Sequence, residues 1–360
     1  MQYLNQNRRL GLTGLMRVMN DAPTLAQSID SCVNALDELI ITYNDCTDES
    51  PRIIEQKKQQ YPDKIQVVPY PFHVMGIDLT DEEYDYVKSL PSDAPCLLAS
   101  YYNNALQHTN FKYVMKIDAD QIYFSNKLLS LRNAIVQGVS QSKVGKLFGS
   151  LVYQIYCYKR GNKRIWSRWH PLHVFQNVVV PLFREQYLKY VVGEFLNGEM
   201  NLSLSGVNVL WYQDKWCVPV GCKSRIGGWW PYNGEGDHIV FEADGDTYYL
   251  PWDLPTYLSN TGKRCYIERF EFPNKPIALM GFFWYHLKPM KTPTYEELLD
   301  YGKNHPDVLM AVDNLKKVSF SRILKNVDVD SYRKFLFNFV HNLDRQTIKK
   351  NLNALDGVLI

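Results

Sequence analysis

A chain of 360 residues, 46% hydrophobic and 14% aromatic, can fill one large domain or a core with an appendage, and is too apolar to stay disordered. Its net charge of +2 gives no bulk attraction to nucleic acid. No apolar run approaches the ~20 residues that cross a bilayer. The polar start, residues 1–9, lacks the apolar stretch of a secretion signal, and the seven scattered cysteines include no Cys-x-x-Cys pair. Reduced thiols and a cytoplasmic location are the expectation.

Residues 11–19 (GLTGLMRVM) predict a first strand, followed by Asn20-Asp21-Ala22-Pro23, a loop and helix start. Leu25, Ile29, Cys32, Val33 and Leu36 then share one helical face over 24–36. A strand over 39–43 ends in the polar turn 44–48, which opens a helix containing Ile53 and Ile54. Residues 65–68 make a third strand. Strand, helix, strand, helix, strand is how a parallel, doubly wound sheet begins. Residues 73–93 form an acidic excursion with a short helix at 81–89. Further helices are expected over 94–108 and 126–136.

Between these last two helices lies Tyr113-Val114-Met115-Lys116-Ile117-Asp118-Ala119-Asp120, an apolar strand that runs into two carboxylates. Side chains two apart on an extended chain point the same way. Two hard oxygen ligands at a strand end suit Mg2+ or Mn2+, which keep positions open for a substrate diphosphate. The Asp-x-Asp triplet alone decides nothing, since it recurs twice. Asp244-Gly245-Asp246 between β-prone runs reads as a hairpin turn, and Asp328-Val329-Asp330 reads as a helix cap. Only Asp118 and Asp120 end a buried strand.

Residues 146–185 read as β-rich and aromatic, with a basic hairpin at Lys159, Arg160, Lys163, Arg164 and Arg168. That patch is either simply solvated or a contact for an anionic acceptor or membrane. From Thr292 onward apolar spacing near 3.6 predicts helices over 295–303, 308–317, 331–343 and 345–355. They would form a cap, a homodimer interface or a membrane-adhering extension.

The segments RVMNDAPTLAQSIDSCVNALDELIITYNDCTDES and SYYNNALQHTNFKYVMKIDADQIY together resemble the nucleotide-sugar half of family 2-like glycosyltransferases with the GT-A fold. That resemblance implies a Rossmann-like, mostly parallel sheet with helices on both faces. It further implies a nucleotide-diphospho-sugar donor, with a divalent metal on its diphosphate. Asn20, Asn44 and Asp48 would line the nucleotide pocket, Asn103 would face it, and Asp118 and Asp120 would be the metal pair. Where the family places aspartates after its second strand, this chain has Tyr43 and Asn44. Tyr43 either stacks on the base or packs on its neighbours. The family's frequent helix arginine is replaced by Tyr102.

Residues 226–242 (IGGWWPYNGEGDHIVFE) read as a substrate-proximal loop: glycines free the backbone, and Trp229, Trp230 and Tyr232 offer faces to acceptor sugars. An inverting transfer needs a base for the acceptor hydroxyl, and Asp237, with Glu235 as its rival, is the candidate. His286-Leu287-Lys288-Pro289 resembles the His…Lys-Pro ending of several GT-A enzymes, which makes His286 a metal ligand and Lys288 a phosphate contact. Imidazole beside carboxylates favours Mn2+ over Mg2+.

The expected organisation is therefore a GT-A core over 1–290, with a nucleotide-sugar half (1–125), an acceptor half (126–290) and a helical C-terminal extension (291–360). The expected activity is metal-dependent hexosyl or N-acetylhexosaminyl transfer to a glycan or lipid-linked acceptor. It would be inverting and serve bacterial-type surface polysaccharide synthesis, with peripheral membrane association at the inner face open and no nucleic-acid partner. The alternatives are a retaining transferase, a non-catalytic carbohydrate-binding protein and a nucleotidyltransferase.

Overall fold

The computed structural model describes residues 8–161, 174–220, 230–233, 238–258, 263–271, 275–287, 299–300, 302–315, 318, 320–324 and 330–358. They fall into two compact units, one built from the chain up to Asp120 with Phe241–Lys275, the other from Gln121–Val240 with Pro276–Val358.

In the first unit, strands β1 (Arg9–Val18), β2 (Glu38–Tyr43), β3 (Ile65–Pro69) and β4 (Phe111–Asp118) lie in the order β3-β2-β1-β4, all parallel. This is the doubly wound order that collects ligands at the carboxyl ends of its strands. The mixed α/β architecture with a parallel sheet is thus as expected. Register sets Thr42, Arg17 and Asp118 side by side near that edge. Helix α1 (Ala22–Cys32) buries Leu25, Ile29 and Cys32, and α2 (Ser50–Gln60) buries Ile54. Helix α3 (Asp81–Ser89) starts in a capping box: Thr80 Oγ1 accepts from the Glu83 amide (3.2 Å), and the Thr80 amide donates to Glu83 Oε2 (2.8 Å). The next helix, α4 (Leu98–Gln107), begins later than expected, after the Pro91 and Pro95 loop. An antiparallel ribbon pairs Tyr248–Leu258 with Arg264–Glu271.

One local expectation is corrected here. Asp244 does make a turn, accepting from the Asp246 amide and the Thr247 hydroxyl at 3.0 and 2.8 Å. The flanking strands do not form a hairpin, however, because each pairs with another partner.

In the second unit, β5 (Gln121–Tyr123) leads into α5 (Ser125–Gln137), α6 (Lys143–Gly161) and α7 (Arg184–Leu196). The β-rich hairpin expected over 146–185 is absent among the described residues. The β-prone residues Val152 and Tyr156 instead share a buried helical stripe with Gly149 and Lys159, and packing overrides their intrinsic preference. Gly149 permits the close approach of α7, since a side chain there would meet the Gln186 carbonyl at 2.4 Å.

Strand β6 (Asn201–Asn208) pairs antiparallel with β7 (Tyr232–Asn233) and β8 (Ile239–Glu242). Strand β9 (Ile277–His286) runs parallel to β6 and antiparallel to β5. Helix α8 (Ser331–Lys350) packs on β9, with Asp330 as its N-cap. Asp328 lies outside the described residues. Within α8, Asp344 leaves helical geometry (φ −144°, ψ 22°). Its buried carboxylate meets Lys127 and Arg184 and accepts from the Phe282 amide at 3.0 Å. Gly281 beside it has φ +93° and no room for a side chain.

A helix over 308–317 is also corrected: Leu309–Ala311 is a strand paired with Cys217–Pro219, and Val312–Leu315 is one short helical turn. The expected 295–303 helix lies largely outside the described residues. No described helix is long and apolar enough to cross a membrane.

Candidate metal and nucleotide-sugar site

The carboxyl end of β4 is held from below by α1. Buried Thr24 and Ser28, one helical turn apart, donate to the main-chain oxygens of Ala119 (3.0 Å) and Asp118 (3.2 Å). Two hydroxyls thereby fix the backbone that carries the acid pair. Their spacing on an otherwise apolar helix face was the sequence signal, and the sequence reading passed over it.

Beside Asp118 in register, Arg17 lies with its guanidinium carbon 5.3 Å from the Tyr102 ring centre. Burial works against its charge, but Tyr102, Glu268, Tyr101 and Asp118 around it hold it firmly protonated. Burial also pushes the Tyr102 phenol up to about 12. Tyr102, which stands where the family often has arginine, thus has a cation from β1 against its face.

His286 ends β9 directly opposite Gln121, the residue that follows Asp120 in the chain. Asp118 and Asp120 end the last parallel strand of the first unit and His286 ends β9 of the second, the three residues that the sequence offers to a metal. The donor set fits a divalent ion such as Mn2+: two carboxylates and an imidazole. Nδ1 of His286 lies 3.0 Å from Asn208 Oδ1 and 2.8 Å from the Asn233 amide group. These two contacts, one from an amide nitrogen and one from an amide oxygen, hold the ring by Nδ1. Next to it, the buried Gln121 amide donates to Nε2 of His238 (2.7 Å) and its oxygen accepts from Tyr123 (2.5 Å). Gln121 and His238 were not singled out in the sequence, although a glutamine straight after Asp-x-Asp in a buried strand was a visible cue.

The other expected residues divide. Asn20, at φ +57°, accepts from the Thr47 and Asp48 amides at 2.8 and 3.3 Å and so ties the loop after β1 to that after β2. Asn44 is buried and donates to Asp45, while Tyr43 is half-buried at the end of β2. Asp48 accepts from the Ala22 and Ser50 amides, both at 2.9 Å, and so closes the first turns of α1 and α2. Partial burial opposes its charge, but the Ser50 hydroxyl and these amides outweigh that and hold the carboxyl below its ordinary value.

Asn103 is engaged at both ends of its amide by the Tyr249 main chain (2.8 and 2.7 Å), so its side chain clamps the ribbon rather than facing a nucleotide. Tyr232 is corrected outright as an acceptor face: it is buried, its hydroxyl lies 2.8 Å from His341 Nδ1, and Phe282 and Phe337 cover its ring. The Trp230 ring carries Arg333 at 4.1 Å. Trp229, Glu235, Asp237 and Lys288 lie outside the described residues. A cavity of about 530 Å³ in the first unit, lined by Tyr70, Phe72, Asn104 and Tyr248, includes Asn103 but neither Asp118 nor Asp120.

Residues 6–178 match a family described as "Beta-1,4-N-acetylgalactosaminyltransferase (CgtA)". No curated protein matches the chain. Among solved structures, a mannosyltransferase from Pyrobaculum calidifontis in complex with GDP-Man and Mn2+ is 17% identical, over 38% of this chain and 35% of that one, with a TM-score of 0.27. Glucosyl-3-phosphoglycerate synthase from Mycobacterium tuberculosis, in complex with Mn2+, UDP and glucosyl-3-phosphoglycerate, is 19% identical over 32% of this chain and 35% of that one (TM-score 0.21). S. aureus TarS 1-349 in complex with UDP-GlcNAc is 11% identical over 96% of this chain and 74% of that one (TM-score 0.29). The chain thus spans about a third of the length of the first two, and likeness at this level assigns no residue a role.

Proposed function

We propose that the protein is a metal-dependent glycosyltransferase that moves a hexosyl or N-acetylhexosaminyl group from a nucleotide-diphospho-sugar to a hydroxyl of a glycan or lipid-linked acceptor. The observation that carries this reading is the acid pair of the first unit: Asp118 ends a parallel strand and Asp120 follows it, with the main chain there held by Thr24 and Ser28. Asp118, Asp120 and His286 would hold Mn2+ or Mg2+, which when bound offsets charge on the leaving diphosphate.

The acceptor oxygen attacks the anomeric carbon, the bond from that carbon to the diphosphate oxygen breaks, and Asp237 takes the hydroxyl proton. Glu235 is a contact to the acceptor hydroxyls, and Lys288 meets the diphosphate. Trp229 and the open part of Trp230 receive the acceptor sugar. Asn20, Tyr43 and Asn44 border the nucleotide. The β linkage named in the family description supports inversion, given a donor sugar in the α configuration. The setting of this reading is surface polysaccharide synthesis on the cytoplasmic side of a membrane.

The test is thermal stabilisation by a panel of sugar nucleotides, UDP-N-acetylgalactosamine first, with and without Mn2+. A donor at 100 times its Kd adds about 2.7 kcal/mol to the folded state. The expected result is an upward shift in the melting midpoint that needs nucleotide and metal together. No shift with any UDP- or GDP-sugar in Mn2+ would contradict the proposal.

A further inference from the structure

The cavity of about 530 Å³ in the first unit has the size of a small-molecule site. One wall is a face of α4, where Ser100, Asn104 and Gln107 recur at helical spacing. The rest comes from Tyr70 and Phe72 after β3, from the loop that carries Asp93, and from the turn and ribbon start at 245–250.

These parts are tied to one another. Asn103 bonds the Tyr249 main chain at both ends of its amide, which fixes α4 against the ribbon. The Tyr70 hydroxyl donates to the Pro95 carbonyl at 2.7 Å and joins the loop after β3 to the one before α4. The Thr247 hydroxyl donates to Asp244 Oδ1 at 2.8 Å and anchors the turn. Walls set before a ligand arrives lower the ordering cost of binding. By contrast, the side chains of Asp93, Ser100, Asn104, Gln107 and Asp246 make no hydrogen bond or ion pair among the described residues. The amide oxygen of Asn104 is buried without a partner, a cost that stands until a donor meets it.

The chemistry of the lining selects the occupant. Its described residues include two carboxylates, Asp93 and Asp246, and no lysine, arginine or histidine, so a phosphate or nucleotide would meet repulsion and no counter-charge. An ammonium group gains little from these acids, because both are exposed and screened by water. The half-buried wall offers neutral groups, the Ser100 hydroxyl and the Asn104 amide. Tyr70, Phe72 and Tyr248 add ring surface, and Phe72 is 46% exposed. Rings beside neutral donors and acceptors suit an uncharged, polyhydroxylated molecule.

We propose that this cavity binds a neutral saccharide. The site uses none of the residues given to sugar transfer, and it stands whether or not the donor reading holds.

The test is saturation-transfer NMR on the full chain, free of metal and nucleotide. The probes are glucose, galactose, N-acetylglucosamine, N-acetylgalactosamine, lactose and diacetylchitobiose. At least one should bind, and Phe72→Ala should weaken that binding ~10-fold or more. Asn104→Leu should also lose affinity, with a melting midpoint at or above the parent's, since the free protein leaves that amide unpaired. Tyr86→Ala, at an exposed aromatic of the same unit outside the cavity, should bind as the parent does. No signal from any of these sugars would overturn the proposal, and a response to spermidine in their place would mark a cation site instead. Equal binding by the parent, Phe72→Ala and Asn104→Leu would overturn it too, because the sugar would then sit elsewhere. Phe72→Ala should keep the parent's response to sugar nucleotide and Mn2+. Loss of that response together with the saccharide signal would merge the cavity with the donor site and contradict a separate one.

Discussion

The two units solve the same problem, burying a sheet, with different kinds of sequence. The first uses uninterrupted apolar runs (Leu39-Ile40-Ile41, Val114-Met115) for strands covered on both sides, and amphipathic helices whose starts are marked by proline or a capping box. The second builds helices from residues that prefer strands and ties them down with buried polar groups: Asp344 with Lys127 and Arg184, Tyr232 with His341, and Gln121 with His238. In one region local preference and tertiary packing agree. In the other packing overrules preference, and individual polar contacts carry more of the specification.

Removing the buried anion of the second unit should expose that dependence most sharply. Asp344→Ala leaves Lys127 buried without its partner and the Phe282 amide without its acceptor, a loss of about 3–5 kcal/mol. Denaturant unfolding measures it. A loss below about 1 kcal/mol would mean that the second unit rests on its apolar contacts after all.

A smaller effect is expected where a polar clamp works within the first unit. Asn103→Ala removes both bonds to the Tyr249 main chain and should cost about 1–3 kcal/mol. Donor affinity in the surviving folded protein should be unchanged. A raised donor KM with unchanged stability would return Asn103 to the nucleotide pocket.

The smallest effect concerns Asp48. Asp48→Ala should cost about 1 kcal/mol as a lost helix cap. Because its folded pKa lies below the ordinary 3.8, the unfolded chain binds its proton more readily, and its stabilisation is complete above that value. It fades as pH falls through the lower folded value. The parent and Asp48→Ala midpoints should therefore converge on acidification, and a gap that stays constant down to acid unfolding would assign the loss to another cause.

This contrast also explains what could be read from the sequence. The strands of the first unit and the 81–89 helix have local signatures. So did Asp118 and Asp120, because a strand that ends in two acids is a one-dimensional pattern. His286 was singled out only through the resemblance, since its place opposite Gln121 depends on β9 pairing with β5, more than 150 residues away in the chain. Helix α6 was hidden because Val152, Tyr156 and their neighbours suit a strand as well as a helix, and only Gly149 fitting against α7 breaks the tie. Tyr232 was read as a sugar platform because an aromatic beside glycines looks accessible. Its burial is decided by Phe337 and His341 from a helix 100 residues on.

The central claim is that two acids from one strand end and the histidine of another share a divalent ion on which donor binding depends. Calorimetric titration of Mn2+ in the presence of the stabilising sugar nucleotide tests it most directly, comparing the parent with Asp120→Ala and His286→Ala. The account predicts saturable binding in the parent, loss of binding by ~100-fold or more in Asp120→Ala, and a 10- to 100-fold loss in His286→Ala, each with the fold intact by circular dichroism. Equal Mn2+ affinity in all three proteins would contradict it, leaving Asp118 and Asp120 as a solvated turn and His286 as a core histidine.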